Sequence, residues 1–174
     1  MLRFCTSLER LLERVTGLAG FIGCMAMVIM VALIFGNMLS RYALGLGAVW
    51  AQELEWYLLS VMAMMGIAYA MKFDDHVRVD ILSSRFSPVG TMWLNLMTAL
   101  LVALPCALLI IHYSLPFAET SFHRGEGSPN SSGLPWRWIP KALVVVGFVF
   151  VATESVRQAL ENGRRLVQHY AGRA

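Results

Sequence analysis

Charge is what this sequence has least of. Of its 174 residues only 14% are Asp, Glu, Lys or Arg, where soluble globular domains carry about 25%. Lysine is nearly absent, with Lys72 and Lys141 alone. So little charge beside 57% hydrophobic residues, 11 Met, 9 Phe and 5 Trp excludes a disordered chain. It also excludes a core bounded by water as the home for all of that apolar surface. A net charge of +3, with the basic residues scattered, offers no patch for a nucleic acid. Cysteine is scarce as well: Cys5, Cys24 and Cys106 lie far apart and form no C-x-x-C, so thiol redox chemistry has no candidate pair. The four histidines place no two imidazoles at one depth on facing helices, as a b-type haem requires. No catalytic residue, cofactor or metal site is expected. Length allows about one domain, and what remains is a small all-α integral membrane protein.

The gaps between charges count the crossings. No charged residue occurs over 15–40, 56–71, 86–118 or 142–153, and roughly 20 apolar residues carry a helix across a bilayer. The last gap is short, but Trp136 and Trp138 suit a headgroup-level belt at one end and Glu154 and Arg157 can snorkel at the other. The expected spans are about 16–40, 50–71, 88–112 and 137–157 in a single membrane domain, with an external loop over 113–136. The first apolar run is too long for the h-region of a signal peptide, about 7–15 residues, so it is expected to stay in the mature protein. With four crossings, ten Lys and Arg fall on the side of the termini and the middle loop, against Arg41, Arg124, Arg137 and Lys141 on the other. The positive-inside bias then puts both termini in the cytoplasm.

Residues 2–14 carry Leu8, Leu11 and Leu12 on one stripe with Arg10, Glu13 and Arg14 opposite, an amphipathic helix for the leaflet surface or a neighbouring helix. Gly17, Gly20 and Gly23 offer a smooth face for close helix approach. Ser87-Pro88 reads as a helix start, and Pro105 is expected to kink the third span.

A transporter acting alone should keep ionisable groups deep in the membrane. Glu53, Glu55 and Glu154 all fall near span ends instead. Glu53 and Glu55, two apart, point to different helix faces, and each is read either as a solvated group at a helix N-terminus or as half of an ion pair, for instance Glu53 with Arg41. The segment from His76 through Arg78 to Asp80 is expected to be a structural charged turn. Asn37, Asn95 and Thr98 at membrane depth can hydrogen-bond a neighbouring helix or their own bundle.

Several of these segments together resemble one family. The residues 37–42 (Asn-Met-Leu-Ser-Arg-Tyr) close the first span and 50–55 (Trp-Ala-Gln-Glu-Leu-Glu) open the second. Gly66-Ile67-Ala68-Tyr69-Ala70 leads to His76-Val77-Arg78-Val79-Asp80, followed by Glu126-Gly127-Ser128 and Gly133-Leu134-Pro135. In order and spacing they resemble the small permease (DctQ-like) subunit of tripartite ATP-independent periplasmic (TRAP) transporters over about residues 15–160. The resemblance implies a non-catalytic four-helix subunit in the bacterial inner membrane. It would brace a large permease subunit that carries the sodium and substrate sites of an organic-acid importer. Its outer loop would help dock a periplasmic binding protein. On that reading Arg41, Glu53, Glu55, His76, Arg78, Asp80, Glu126, Ser128 and Lys141 are candidates for subunit contacts or structural ion pairs. Two departures stand out: Glu126-Gly127-Ser128 where the family frequently has Glu-Glu/Glu-Ser, and Glu154 where Gln is common. Two alternatives stay open, a self-sufficient homo-oligomeric exporter and the membrane anchor of a redox complex.

Overall fold

The computed structural model describes residues 2–73 and 87–171. His76, Arg78 and Asp80 lie outside the described residues. Within them the chain is helical, with no strand. Helix α1 spans Leu2–Leu44 and α2 spans Val49–Lys72. A third rod is built of α3 (Pro88–Met97), a π-helical segment (Thr98–Ala103) and α4 (Leu104–His123), and α5 spans Trp138–Ala171. Among the described residues, four helical rods are long and apolar enough to cross a membrane.

Local chemistry explains the boundaries. Gly45, at φ +69°, turns the chain out of α1, and the Ser40 hydroxyl closes the turn by donating to the Leu46 carbonyl at 3.1 Å. Ser87 caps α3, its hydroxyl accepting the Gly90 N–H at 3.2 Å, with Pro88 in the first turn. Helix α4 ends in a Schellman motif. The Gly125 N–H (φ +59°) bonds the Phe122 carbonyl at 3.1 Å, and the Glu126 N–H bonds Ser121 at 3.2 Å.

Three expectations take a more definite form. Residues 2–14 are the continuous first turns of α1, and of the two placements expected for them the one against neighbouring helices is observed. No proline interrupts them, and pairs from Glu9 to Arg164 (3.1 Å) and Glu13 to Lys72 (3.2 Å) hold this stretch against α5 and α2. At Pro105, where a kink is expected, the helix carries a π-helical segment just before the proline, in which the Leu104 N–H reaches back to the Ala99 carbonyl. Widening the helix by one residue per turn relieves the clash of the proline ring with the preceding turn. Helix α4 also runs past His112 and through Pro116 to His123, so the connection to α5 is shorter than residues 113–136.

Packing uses small side chains. Most of the buried hydrophobic residues are alanines, including Ala19, Ala26, Ala51, Ala68, Ala99 and Ala107. Large side chains such as Phe21, Phe35, Leu101 and Leu109 face outward. That inverts a soluble core and suits lipid, where close backbone approach drives helix association. Gly20 lies under the Tyr69 ring, and Gly23 approaches the Gly66 backbone. Gly17 meets nothing within 4 Å, so the glycine face is used at two of its three positions. Helix α5 is the hub: it packs on α1, α2, α3, the π segment and α4. A Cβ on Gly147 would lie 2.6 Å from the Met64 Cβ and 3.2 Å from its Cα.

Gly147→Val is therefore expected to destabilise the bundle by about 1–3 kcal/mol through overpacking. Gly36→Val, where nothing lies within 4 Å, should leave stability nearly unchanged. Thermal unfolding in detergent compares the two.

Candidate functional site

Polar chemistry concentrates at the two ends of the bundle. At the end bearing the α1–α2 turn, Glu53 in the first turns of α2 receives the loop that joins α4 to α5. Its carboxylate accepts from the Ser128 hydroxyl, from the Asn130 amide at 3.0 Å and from the Leu134 backbone N–H at 2.6 Å. The loop is laced within itself as well. The Ser128 N–H bonds the Leu134 carbonyl at 3.0 Å, the Gly133 N–H bonds Asn130 at 3.1 Å, and the Asn130 N–H bonds the Ser128 hydroxyl at 3.1 Å. Gly133 is needed for space, because any Cβ there would collide with the Ser128 side chain and the Glu53 carboxylate.

Beside this clamp, Glu126 joins the ends of two helices. The Schellman turn aims its carboxylate so that it accepts from Ser121 on α4 at 2.7 Å and pairs with Lys141 on α5. The Lys141 ammonium also sits 4.2 Å above the Phe117 ring. Lys141 first, then the Ser121 hydroxyl, holds the Glu126 carboxyl below the usual carboxylate range.

Glu53 therefore has no ion pair with Arg41 among the described residues; hydrogen bonds from the loop occupy it instead. The Arg41 guanidinium lies against Gly47, at 3.5 Å from where a Cβ would stand. Glu55 faces the other way, accepting from the Asn37 amide at 3.4 Å, while the Asn37 oxygen accepts the Ala48 N–H at 3.5 Å. Asn37 thus ties α1 to α2 inside this bundle.

The opposite end holds the residue that sequence reasoning misplaced. Glu154, expected to snorkel, is fully buried. The Arg157 guanidinium donates to it from Nη2 at 2.6 Å and from Nε at 2.9 and 3.0 Å, and the Thr16 hydroxyl of α1 donates at 3.0 Å. Arg157 continues to Glu161 at 2.7 Å, and Glu161 to Arg165 at 2.5 Å. Gln158 donates to the Met71 carbonyl of α2 at 2.6 Å. A buried carboxylate held by a guanidinium is retained only with such full satisfaction. The signal in the sequence was the i, i+3 spacing of Glu154 and Arg157; the Thr16 partner left none. Among the described residues no group of three or more His, Cys, Asp and Glu could hold a metal ion. Cys24 and Cys106 are exposed, unpaired thiols.

Replacing Glu154 by Ala should cost about 3 kcal/mol, the lower end for breaking a buried pair, because Glu161 still balances Arg157. Thr16→Val should cost about 1 kcal/mol; unfolding in detergent ranks the two. The loop should respond to pH. A carboxyl depressed in the folded state stabilises above its ordinary range and loses that contribution as pH falls through the depressed value. The protection factors of the Glu126 and Arg137 amides (each rate taken relative to the unfolded chain at the same pH), the latter N–H bonding the Glu126 carbonyl at 3.1 Å, should fall on acidification below the ordinary carboxylate range. In Lys141→Met protection should be lower throughout and vary less with pH.

The chain matches the family model described as tripartite ATP-independent periplasmic transporters, DctQ component, over residues 30–165. It is similar to the sialic acid TRAP transporter permease protein SiaT of Haemophilus influenzae (strain 86-028NP), 24% identical over 141 residues, covering 80% of this chain and 22% of that protein. It is also similar to a putative TRAP transporter small permease protein of Haemophilus influenzae (strain ATCC 51907 / DSM 11121 / KW20 / Rd). That protein is 29% identical over 84 residues, which is 48% of this chain and 52% of the relative. The chain thus spans about a fifth of the first relative's length and about half of the second's. No solved structure matches. Four membrane-length helices and a family match over most of the chain identify it as a member of the DctQ family of TRAP transporter small permease subunits.

Proposed function

We propose that this chain is the non-catalytic small membrane subunit of a sodium-coupled TRAP importer of organic acids (carboxylates). It sits in the inner membrane with both termini in the cytoplasm. It braces a large permease subunit, and its outer loop helps dock the periplasmic binding protein. The observation that carries this reading is the segregation of charge: ionised side chains gather at the two ends of the bundle. Between them the packed interior is Gly20, Gly23, Ala68, Ala107, Gly147 and Val151. Such an interior holds helices together and gives a solute or an ion nothing to bind.

The outer loop suits docking because Glu53 and Glu126 fix its backbone from beneath, while Pro129, Asn130, Ser131 and Ser132 stay exposed above. A surface presented on a fixed frame loses little entropy on binding. Sodium coupling and the carboxylate class of the cargo rest on family membership.

The chain is expected to co-purify from membranes with a much larger permease and, reconstituted without it, to give no substrate-dependent current. A cysteine introduced at Ser131 should be labelled by an impermeant thiol reagent from the periplasmic side, and one at Arg165 only from the cytoplasmic side. Substrate-linked current from this chain alone would refute the scaffold reading.

A further inference from the structure

The end of the bundle carrying Glu9, Glu13 and Arg164 also contains a cavity of about 230 Å³ where α1, α2, α3 and α5 meet. Its walls are polar although the surrounding helix surfaces are apolar. Glu13 comes from α1, Lys72 from α2, Asn95 from α3, and Arg157, Glu161, Asn162 and Arg165 from α5. The charges there have distinct duties. Arg157 is shared between buried Glu154, which lies outside the lining, and Glu161. Counting Glu154 behind the wall, the described residues set Lys72, Arg157 and Arg165 against Glu13, Glu154 and Glu161, a neutral site presenting both signs.

Among the described residues, neither Lys72 nor Arg165 is exhausted by its partner. The Lys72 ammonium, 3.2 Å from Glu13, has three N–H groups, and Arg165 reaches Glu161 through Nη2 alone of its three nitrogens. The cavity stands where the apolar stretches begin, since α1 carries no charge beyond Arg14 until Arg41. Leu94, Leu101 and Val102 are exposed along the third rod toward the middle of the bundle. A headgroup seated in this cavity would leave its acyl chains along that surface.

We propose that this cavity binds the headgroup of a zwitterionic aminophospholipid, a phosphodiester bearing a primary ammonium. The phosphodiester oxygens accept from Arg165, Lys72 and the Asn95 amide. The ammonium donates to Glu13, Glu161 and the Asn162 side-chain oxygen. Charge and donor count set the selectivity. A trimethylated choline has the same charges but no N–H for the carboxylates. A phosphoglycerol headgroup brings a net negative charge toward Glu13 and Glu161 with no cation to answer them. A headgroup bridging four segments would also tie α1 and α3 to α5 at the membrane surface.

The test is lipid add-back to the full-length protein, delipidated in the assembly in which it leaves the membrane, read by native mass spectrometry. Phosphatidylethanolamine should bind at least about tenfold tighter than phosphatidylcholine, the worth of one charge-assisted hydrogen bond. It should also exceed phosphatidylglycerol. Glu13→Gln should erase the preference over phosphatidylcholine, while Arg165→Gln should weaken both lipids; circular dichroism checks that each variant keeps its helices. Soluble phosphoethanolamine should compete only weakly, since it lacks acyl chains. Equal binding of phosphatidylethanolamine and phosphatidylcholine, tighter binding of phosphatidylglycerol, effective competition by phosphoethanolamine, or indifference to both substitutions would each overturn the proposal.

Discussion

Lipid tails are as apolar as leucine, so four hydrophobic helices gain nothing by leaving them for one another. The whole architecture follows from that constraint. Association has to come from contacts lipid cannot offer: backbones brought close across Gly20, Gly23 and Gly147, and polar bonds satisfied only by a partner helix. The bundle spends its few polar residues accordingly. Glu154 with Thr16 joins α5 to α1, Gln158 joins α5 to α2, and Asn37 with Glu55 joins α1 to α2. Each bond lies near an end of the bundle, where burying a charge or an amide costs less than at the centre.

The same economy shapes the loop between α4 and α5. A glycine- and proline-containing stretch facing water has little reason to hold one conformation, yet this one is fastened at two carboxylates. Glu53 reaches it from α2, while Glu126 reaches outward from the loop to α4 and α5. Order is imposed from the helices upward, so the exposed residues 129–132 sit on a foundation belonging to three separate segments.

Much of this was legible in the amino acids. Charge-free stretches marked the membrane helices, Ser87-Pro88 marked the start of α3, and the order of short motifs indicated the family that the comparison bears out. What escaped the sequence was pairing at long range. Thr16 and Glu154 are far apart in the chain, and nothing near either announces the other; Glu154 beside Arg157 reads just as well as a pair reaching for water. Glu53 looked equally suited to Arg41 because both flank the same turn, and only the fold of the later loop decides its partners. Pro105 marked a disturbance correctly, but the widened π turn that accommodates it leaves no mark of its own in the sequence. Here α5 lies alongside the π segment.

Helix α5 packs against every other rod, while the third rod leans chiefly on α5 and the first two mainly on each other. A ribosome delivers these segments in order, so α1 and α2 can pair early, whereas the third rod enters the bilayer before the helix that will hold it has been made. Until α5 has been made, the nascent chain is a hairpin and an unattached rod in the membrane. Quality-control proteases that survey lipid-embedded chains would meet it in that state, and any premature stop before α5 would leave it there permanently.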